Sequence, residues 1–416
     1  MSDTKAGVKV SVVIPVYNGE KYIGECLDTV LGQTLKEIEV ICVDDGSTDD
    51  TMKVLKKYAK NDARLIVISQ ENKNAGAARN NGLKYVAGKY VIFLDADDFF
   101  ERDLLKKMYE RAEEVNAEIV VVNSDAYYED LKKYGPGEPF VGRMLPKKKV
   151  FAGRDVEMLF LAFVGWPWDK LFLTRFVLEN NLRFQEQRST NDLYFVYAGL
   201  VRAERITIIA EVLAHHRCNV KTSISMTREK SWSCSHSALI KLKKQLVEWG
   251  VYDDKMKRIF ANYALCFSLW QLETLSGVAR QKFYELFRFK WMKEYDLERE
   301  RDFFYSDEEY NKLMMIKKCN YVEYCNQMID DLRGYALELN REVWRLCDEK
   351  GGFEKRISEL LEQEKELKKE KTQLERAINE IKQSGIYKIG LTIAFVPRKI
   401  RSFLTRKGRK KSDILK

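Results

Sequence analysis

The segment from Lys89 to Asp98 reads Lys-Tyr-Val-Ile-Phe-Leu-Asp-Ala-Asp-Asp, an apolar strand that stops abruptly at three carboxylates separated by one alanine. Like charges crowded at a strand tip are costly unless something positive neutralises them. Oxygen donors of this kind suit hard divalent cations. The first expectation is therefore a strand tip that faces a cation together with an anionic ligand such as a diphosphate.

The surrounding residues say what kind of sheet carries that tip. Val10 to Tyr17, Glu39 to Val43, Arg64 to Ile68, Tyr90 to Leu94 and Glu118 to Val122 are short apolar, β-branched runs. Helical spacing separates them, as in Tyr22, Ile23, Cys26, Leu27, Val30 and Leu31. Strands alternating with helices predict an α/β fold with a mainly parallel sheet covered on both faces. Ligands of such sheets bind beyond the carboxyl ends of the strands. The polar clusters Tyr17-Asn18, Asp44-Asp45-Gly46 and Asp95-Ala96-Asp97 all follow strands, so separate segments should converge on one crevice.

Two phosphate-binding patterns are excluded by inspection. No G-x-G-x-x-G follows the first strand, and Gly82 to Tyr90 has neither the spacing nor the Ser or Thr of a P-loop. Four segments in order resemble the family 2 glycosyltransferases, with their GT-A nucleotide-sugar fold. These are Val12 to Asn18, Val43 to Asp49, Asn74 to Asn80 and Phe93 to Asp98. The likeness continues more loosely through Trp168 to Leu171 and Asn191-Asp192 to Arg217.

The resemblance implies roles. Pro15 and Tyr17 would lie at a nucleotide base, with the Tyr17 ring against uracil and Asp44 or Asp45 accepting the imide proton. Helix capping is the second reading of these two carboxylates, with Asp49 or Ser47 as the better candidates for that task. Arg79 would reach the base or the diphosphate. Asp95-x-Asp97 resembles the family's D-x-D motif: Asp95 would hold the ribose hydroxyls, and Asp97 the Mn²⁺ or Mg²⁺ that bridges the phosphates, with Asp98 as helper.

Inversion at an anomeric carbon needs a base for the acceptor hydroxyl. Asp192 stands where the family places it, although Asn191 replaces the usual acid beside it. His216, more than His215, would complete the metal shell or touch a phosphate. Trp166 and Trp168 would wall the donor or acceptor pocket or pack in the core.

The rest of the chain bounds the setting. At 416 residues, with 45% hydrophobic content, it holds one large domain or two to three ordinary ones. Eight scattered cysteines without a C-x-x-C pair predict reduced thiols, and Met1 to Gly7 shows no export pattern. The net charge of +9 is local: Ser384 to Lys416 carries ten basic residues against Asp413, leaving the remainder neutral. That tail, mixing apolar residues from Ile386 to Val396 with Lys and Arg, suits an anionic membrane surface and argues against a nucleic-acid groove.

Phe353, Ile357, Leu360, Glu364, Leu367, Lys371, Leu374, Ile378 and Ile381 alternate by four and three, the seam of a short coiled coil or helical hairpin and a route to self-association. The expected organisation is a GT-A domain over 1–225, a helical accessory region over 226–350, a heptad helix over 351–383 and a basic tail over 384–416. The expected activity is metal-dependent, inverting transfer of a sugar from a UDP donor to a glycan or lipid-linked acceptor, at the cytoplasmic face of a membrane. A nucleotidyltransferase and a non-catalytic scaffold are the rival readings.

Overall fold

The structure is a computed structural model that describes residues 7–137, 139–218, 224–348 and 354–383. The basic tail and Phe353 lie outside the described residues. The chain divides into two compact units between Tyr263 and Ala264.

The first unit is built on one nine-stranded sheet: β1 (Val10–Val16), β2 (Ile38–Asp44), β3 (Leu65–Ser69), β4 (Tyr90–Phe93), β5 (Phe99–Phe100), β6 (Ile119–Tyr128), β7 (Lys133–Pro136), β8 (Lys170–Leu173) and β9 (Ile206–Cys218). The order is β3-β2-β1-β4-β8-β6-β9-β5, with β7 paired to β6. β1 is buried at all seven positions, as its unbroken apolar run requires for a central strand packed on both faces.

The first four strands are mutually parallel. β8 then enters antiparallel between β4 and β6, while β6 and β9 are parallel. The sheet is thus mixed beyond β4. Helices α1 (Ile23–Leu31), α2 (Thr51–Asn61), α3 (Asn74–Gly82), α4 (Leu104–Val115), α5 (Leu159–Ala162), α6 (Thr174–Glu179), α7 (Leu193–Arg202) and α8 (Cys234–Glu248) complete the unit, and α9 (Asp254–Thr274) crosses its boundary. The helical spacing in α1 is read out directly, since Ile23, Cys26, Leu27 and Val30 are buried. No disulfide joins the described cysteines.

The second unit is helical: α10 (Gly277–Leu286), α11 (Met292–Glu294), α12 (Asp307–Lys318), α13 (Tyr321–Asp348) and α14 (Glu354–Gln383). Ser306 caps α12, its hydroxyl accepting the Glu309 N–H, as Ser-x-x-Glu predicts. Leu339 and Val343 of α13 share a small core with Leu360 and Leu367 of α14, and Glu364 of α14 is buried as well. No helix among the described residues is long and apolar enough to cross a membrane.

Candidate active site

Pro15 shapes the mouth of the site. In a central parallel strand a proline costs a ladder hydrogen bond. Here the pairing of β1 with β4 ends at Val13 and Phe93, apart from the Leu94 N–H donated to the Val13 carbonyl. The missing Pro15 N–H therefore falls where β4 has already turned away. The gap opens at the carboxyl ends of β1 and β4, where the strand order reverses and ligands of α/β sheets bind.

The loops after β1 and β2 are zipped together. Asn18, at φ +48°, donates its N–H to Ser47 Oγ at 2.9 Å, and its side-chain oxygen accepts the Thr48 N–H at 2.8 Å. Gly19 N–H reaches Thr51 Oγ1 at 2.8 Å. Tyr17, just before them, is left 53% exposed, a ring face available for stacking.

Asp44 and Asp45 are both buried, with different tasks. Asp45 Oδ1 accepts Gln70 Nε2–H and Lys73 N–H, each at 2.8 Å, and so pins the start of α3. Asp44 accepts the Ser47 N–H at 3.2 Å. The N-cap residue of α2 is Asp50, whose side chain makes no cap bond, and Asp49 just before it accepts the Thr51 N–H at 3.0 Å.

A second set of residues meets at the tip of β4. Arg79 on α3 is buried, and its guanidinium donates to Asp95 Oδ1 and, at 2.7 Å, to Asn191 Oδ1. It lies over the Phe184 ring at 5.2 Å. Asn191 therefore keeps the acceptor oxygen that an acid would offer, without its charge. Asp192 follows immediately and opens α7. Burial pushes its carboxyl above the ordinary range; the nearby Arg79 charge opposes that shift and Asp95 adds to it.

The residue before this pair is held off its preferred backbone. Thr190 adopts φ +54°, which is strained for a β-branched residue. Gln187 clamps the turn, its Nε2 donating to the Ser189 and Thr190 carbonyls at 2.9 and 3.0 Å. Gly76 lets α3 approach the same loop. A Cβ there would sit 2.0 Å from the Gln185 carbonyl oxygen, so α3 and the Asp192 loop can meet only over a glycine.

The acidic tip itself is divided in role. Asp98 accepts the Arg217 N–H at 2.8 Å, and its carboxylate lies 3.2 and 3.3 Å from His216 Nδ1. Burial disfavours a charged His216, but the Asp98 carboxylate outweighs it and holds the imidazole well above its usual pKa. His216 turns its Nδ1 to Asp98. Its ring stacks on Trp168 at 5.4 Å, and Trp168 stacks on Trp166 at 4.9 Å. Buried Lys170 supports this pile by donating to the Val164 and Trp166 carbonyls, both at 2.9 Å, and to Asp169 Oδ1 at 2.7 Å.

His215, by contrast, is fully occupied. Its Nδ1 lies 2.7 Å from Asp125 and its Nε2 3.1 Å from Glu101. Arg217 is a staple, with Nε donating to the Asp97 carbonyl at 2.8 Å and the two terminal nitrogens to Glu129 and Glu25.

Of the three carboxylates Asp95, Asp97 and Asp98, Arg79 holds the first and Arg217 and His216 the third, which leaves Asp97 as the one that no other described side chain ties down. Burial first, then Asp98 and Asp95, push it up to about 7. Among the described residues no three metal-binding side chains form a ready-made cage. A carboxylate of this kind still fits a cation that takes most of its oxygens from substrate phosphates and water, as Mg²⁺ does.

Residues 11–173 match the profile of Glycosyl transferase family 2. Glycosyltransferase GlyG of Streptococcus pneumoniae is 30% identical over 54% of this chain and 75% of its own length. The chain belongs to the family 2 glycosyltransferases. Glycosyltransferase GlyA of the same species is 32% identical over 54% of this chain but only 32% of its own length. The chain spans less than two thirds of the first curated relatives it matches. A crystal structure of S. aureus TarS in complex with UDP-GlcNAc superposes with TM-score 0.53 at 21% identity, covering 76% of this chain and 93% of that one. That likeness shows a shared GT-A fold.

The family's motifs pointed to Arg79, Asp95 and Asp192, which the fold brings together. Gln187, Gly76 and Lys170 had no sequence signal of comparable weight. Gly76 lay inside a quoted motif, and its value there is the close approach of a neighbouring loop, which one sequence does not display.

Proposed function

We propose that the chain transfers a hexosyl or N-acetylhexosaminyl unit from a UDP donor to a hydroxyl of a saccharide or lipid-linked acceptor, with inversion, in cell-surface glycan assembly. The observation that carries this reading is the convergence of Arg79, Asp95 and the Asn191-Asp192 pair at the tip of β4, beside an exposed Tyr17. Tyr17, Pro15, Asp44 and Asp45 line the base end, Asp95 takes the ribose and Arg79 orients the diphosphate end.

Asp192 removes the acceptor hydroxyl proton as that oxygen bonds to the anomeric carbon. The bond to the diphosphate breaks, and its electron pair leaves with UDP. Asp97, with His216 Nε2 and Asp98 behind it, would hold a divalent cation, Mn²⁺ or Mg²⁺, which neutralises charge on the leaving diphosphate when bound. His216 alternatively serves the phosphate directly.

The UDP-GlcNAc named for the TarS structure is the first donor to test. A titration of UDP with and without Mn²⁺, followed by UDP release from UDP-glucose, UDP-galactose and their N-acetyl forms, separates the readings. Metal-dependent UDP binding with release from one of these donors is expected. Binding of nucleoside triphosphates in preference to UDP would instead indicate a nucleotidyltransferase, and no nucleotide binding at all a scaffold.

The proposal keeps the organisation expected from sequence, with the basic tail over 384–416 as a peripheral anchor on the inner face of a membrane. It extends to self-association through α13 and α14, where Leu337, Trp344 and Leu361 stay exposed. Each basic residue near an anionic surface contributes about 1 kcal/mol, fading within a Debye length. Deleting the tail should release the protein from anionic vesicles while leaving donor chemistry intact. Flotation at low and high salt checks this, and equal flotation of both forms would remove the tail from the account.

A further inference from the structure

A cavity of about 590 Å³ lies between the loop that follows α6, the first turn of α7 and α8. Its walls include Asn181, Gln185, Gln187, Tyr194, Lys241 and Trp249. This lining is rich in carboxamides, carries the charged Arg183, Glu186 and Lys241, and has three aromatic rings, of which Phe184 and Tyr194 are buried and Trp249 is the more open. Amides offer donors and acceptors together, and ring faces suit the C–H faces of a pyranose. The volume is within the range of small-ligand sites.

Gln185 lines the cavity, while its Oε1 is shut off from solvent without a hydrogen-bond partner. Sugar hydroxyls likewise both donate and accept, which matches a lining of amides. Trp249 is already fixed for stacking, because Arg202, on the neighbouring cavity, lies over its ring at 5.3 Å. Tyr194 is oriented by its hydroxyl, which donates to Gln245 at 2.8 Å.

The wall also belongs to the loop that carries the base. Gln185 donates its N–H to the Asn191 carbonyl at 3.0 Å, and Gln187 closes the turn through Thr190. We infer that this cavity is a remote acceptor subsite, binding one sugar residue of an extended saccharide whose reactive hydroxyl lies at Asp192. The inference rests on the glycosyltransfer reading above and adds to it a preference for oligosaccharide over single-sugar acceptors.

The test uses the full chain, labelled, on an array of bacterial cell-surface tri- to hexasaccharides that includes phosphate-bearing polyol fragments, with UDP affinity measured on the same preparations. Capture on neutral saccharides is expected, about tenfold weaker in Trp249→Ala and Gln185→Leu. Trp249→Phe should retain it, which separates loss of the ring face from loss of the fold, and UDP affinity should be unchanged in all three. Saccharide capture indifferent to these variants, capture of phosphate-bearing fragments alone, or no capture while UDP still binds would each overturn the subsite. Loss of UDP binding in the unaltered chain would instead remove the donor reading on which it rests.

Discussion

Asp192→Asn should lower turnover by about 10²–10⁴, the usual worth of a general base, while leaving UDP-sugar affinity where it was. The variant keeps the shape of the carboxylate and its place at the head of α7, so the donor contacts of Arg79 and Asp95 are undisturbed. The pH profile carries the sharper information. Because burial raises the Asp192 pKa, turnover of the native chain should climb with pH through a value above the ordinary carboxylate range of about 3.9, and the residual activity of Asp192→Asn should lack that limb.

Stability should move the other way. A carboxyl whose folded pKa is raised ionises more readily in the unfolded chain, so it takes stability away as pH rises from its unfolded to its folded pKa. Removing the charge relieves that loss, and the variant should melt at or above the native temperature at neutral pH. Paired kcat and thermal measurements across pH test both limbs. Native turnover in the variant would mean that the base lies elsewhere. Asp125, the next carboxylate to consider, is already engaged by His215 Nδ1 at 2.7 Å.

The parts of this molecule legible in its sequence share a physical reason. β1, β2, β4 and the first half of β6 are apolar runs buried on both faces, and such runs announce themselves whatever surrounds them; β3, at the edge and only partly buried, is read from its β-branched run alone. β5 has two residues and β8 four, too few for periodicity to register. β8 also begins at Lys170, a residue that normally marks a surface and here is wholly buried, neutralised by Asp169 and two carbonyls.

The same contrast holds in the site. Asp95, Asp97 and Asp192 stood out because their chemistry is local to a short motif. What separates the neighbours is tertiary: Asp98 and His215 look as functional as Asp97 and His216 in sequence, yet partners from distant elements occupy them. Asn191 looked like a departure from the family's acid, and its role became readable only when Arg79, more than a hundred residues earlier, was found donating to its side-chain oxygen.

Asp97→Ala should abolish the Mn²⁺-dependent part of UDP-sugar binding and leave the fold intact. Only the Asp97 backbone is used structurally, its carbonyl accepting from Arg217 Nε, and that contact survives the substitution. Asp98→Ala is the contrasting case: it strips the acceptor from the buried Arg217 N–H and from His216, and should cost about 1–3 kcal/mol of stability.

With Asp97 pushed up to about 7 by burial and by the Asp98 and Asp95 charges, a cation must compete with a proton. Metal-dependent affinity of the native chain should therefore weaken as pH falls through about 7. The raised pKa also means that ionised Asp97 opposes folding, so the stability of Asp97→Ala relative to the native chain should increase as pH rises from about 3.9 to about 7 and level off above it. Calorimetric titration of UDP with and without Mn²⁺ at pH 6 and pH 8 reads the first effect, and thermal melts without metal read the second. Unchanged Mn²⁺-dependent affinity in Asp97→Ala would remove this residue from the metal site, because its neighbours Asp95 and Asp98 are already engaged by Arg79 and by Arg217 and His216.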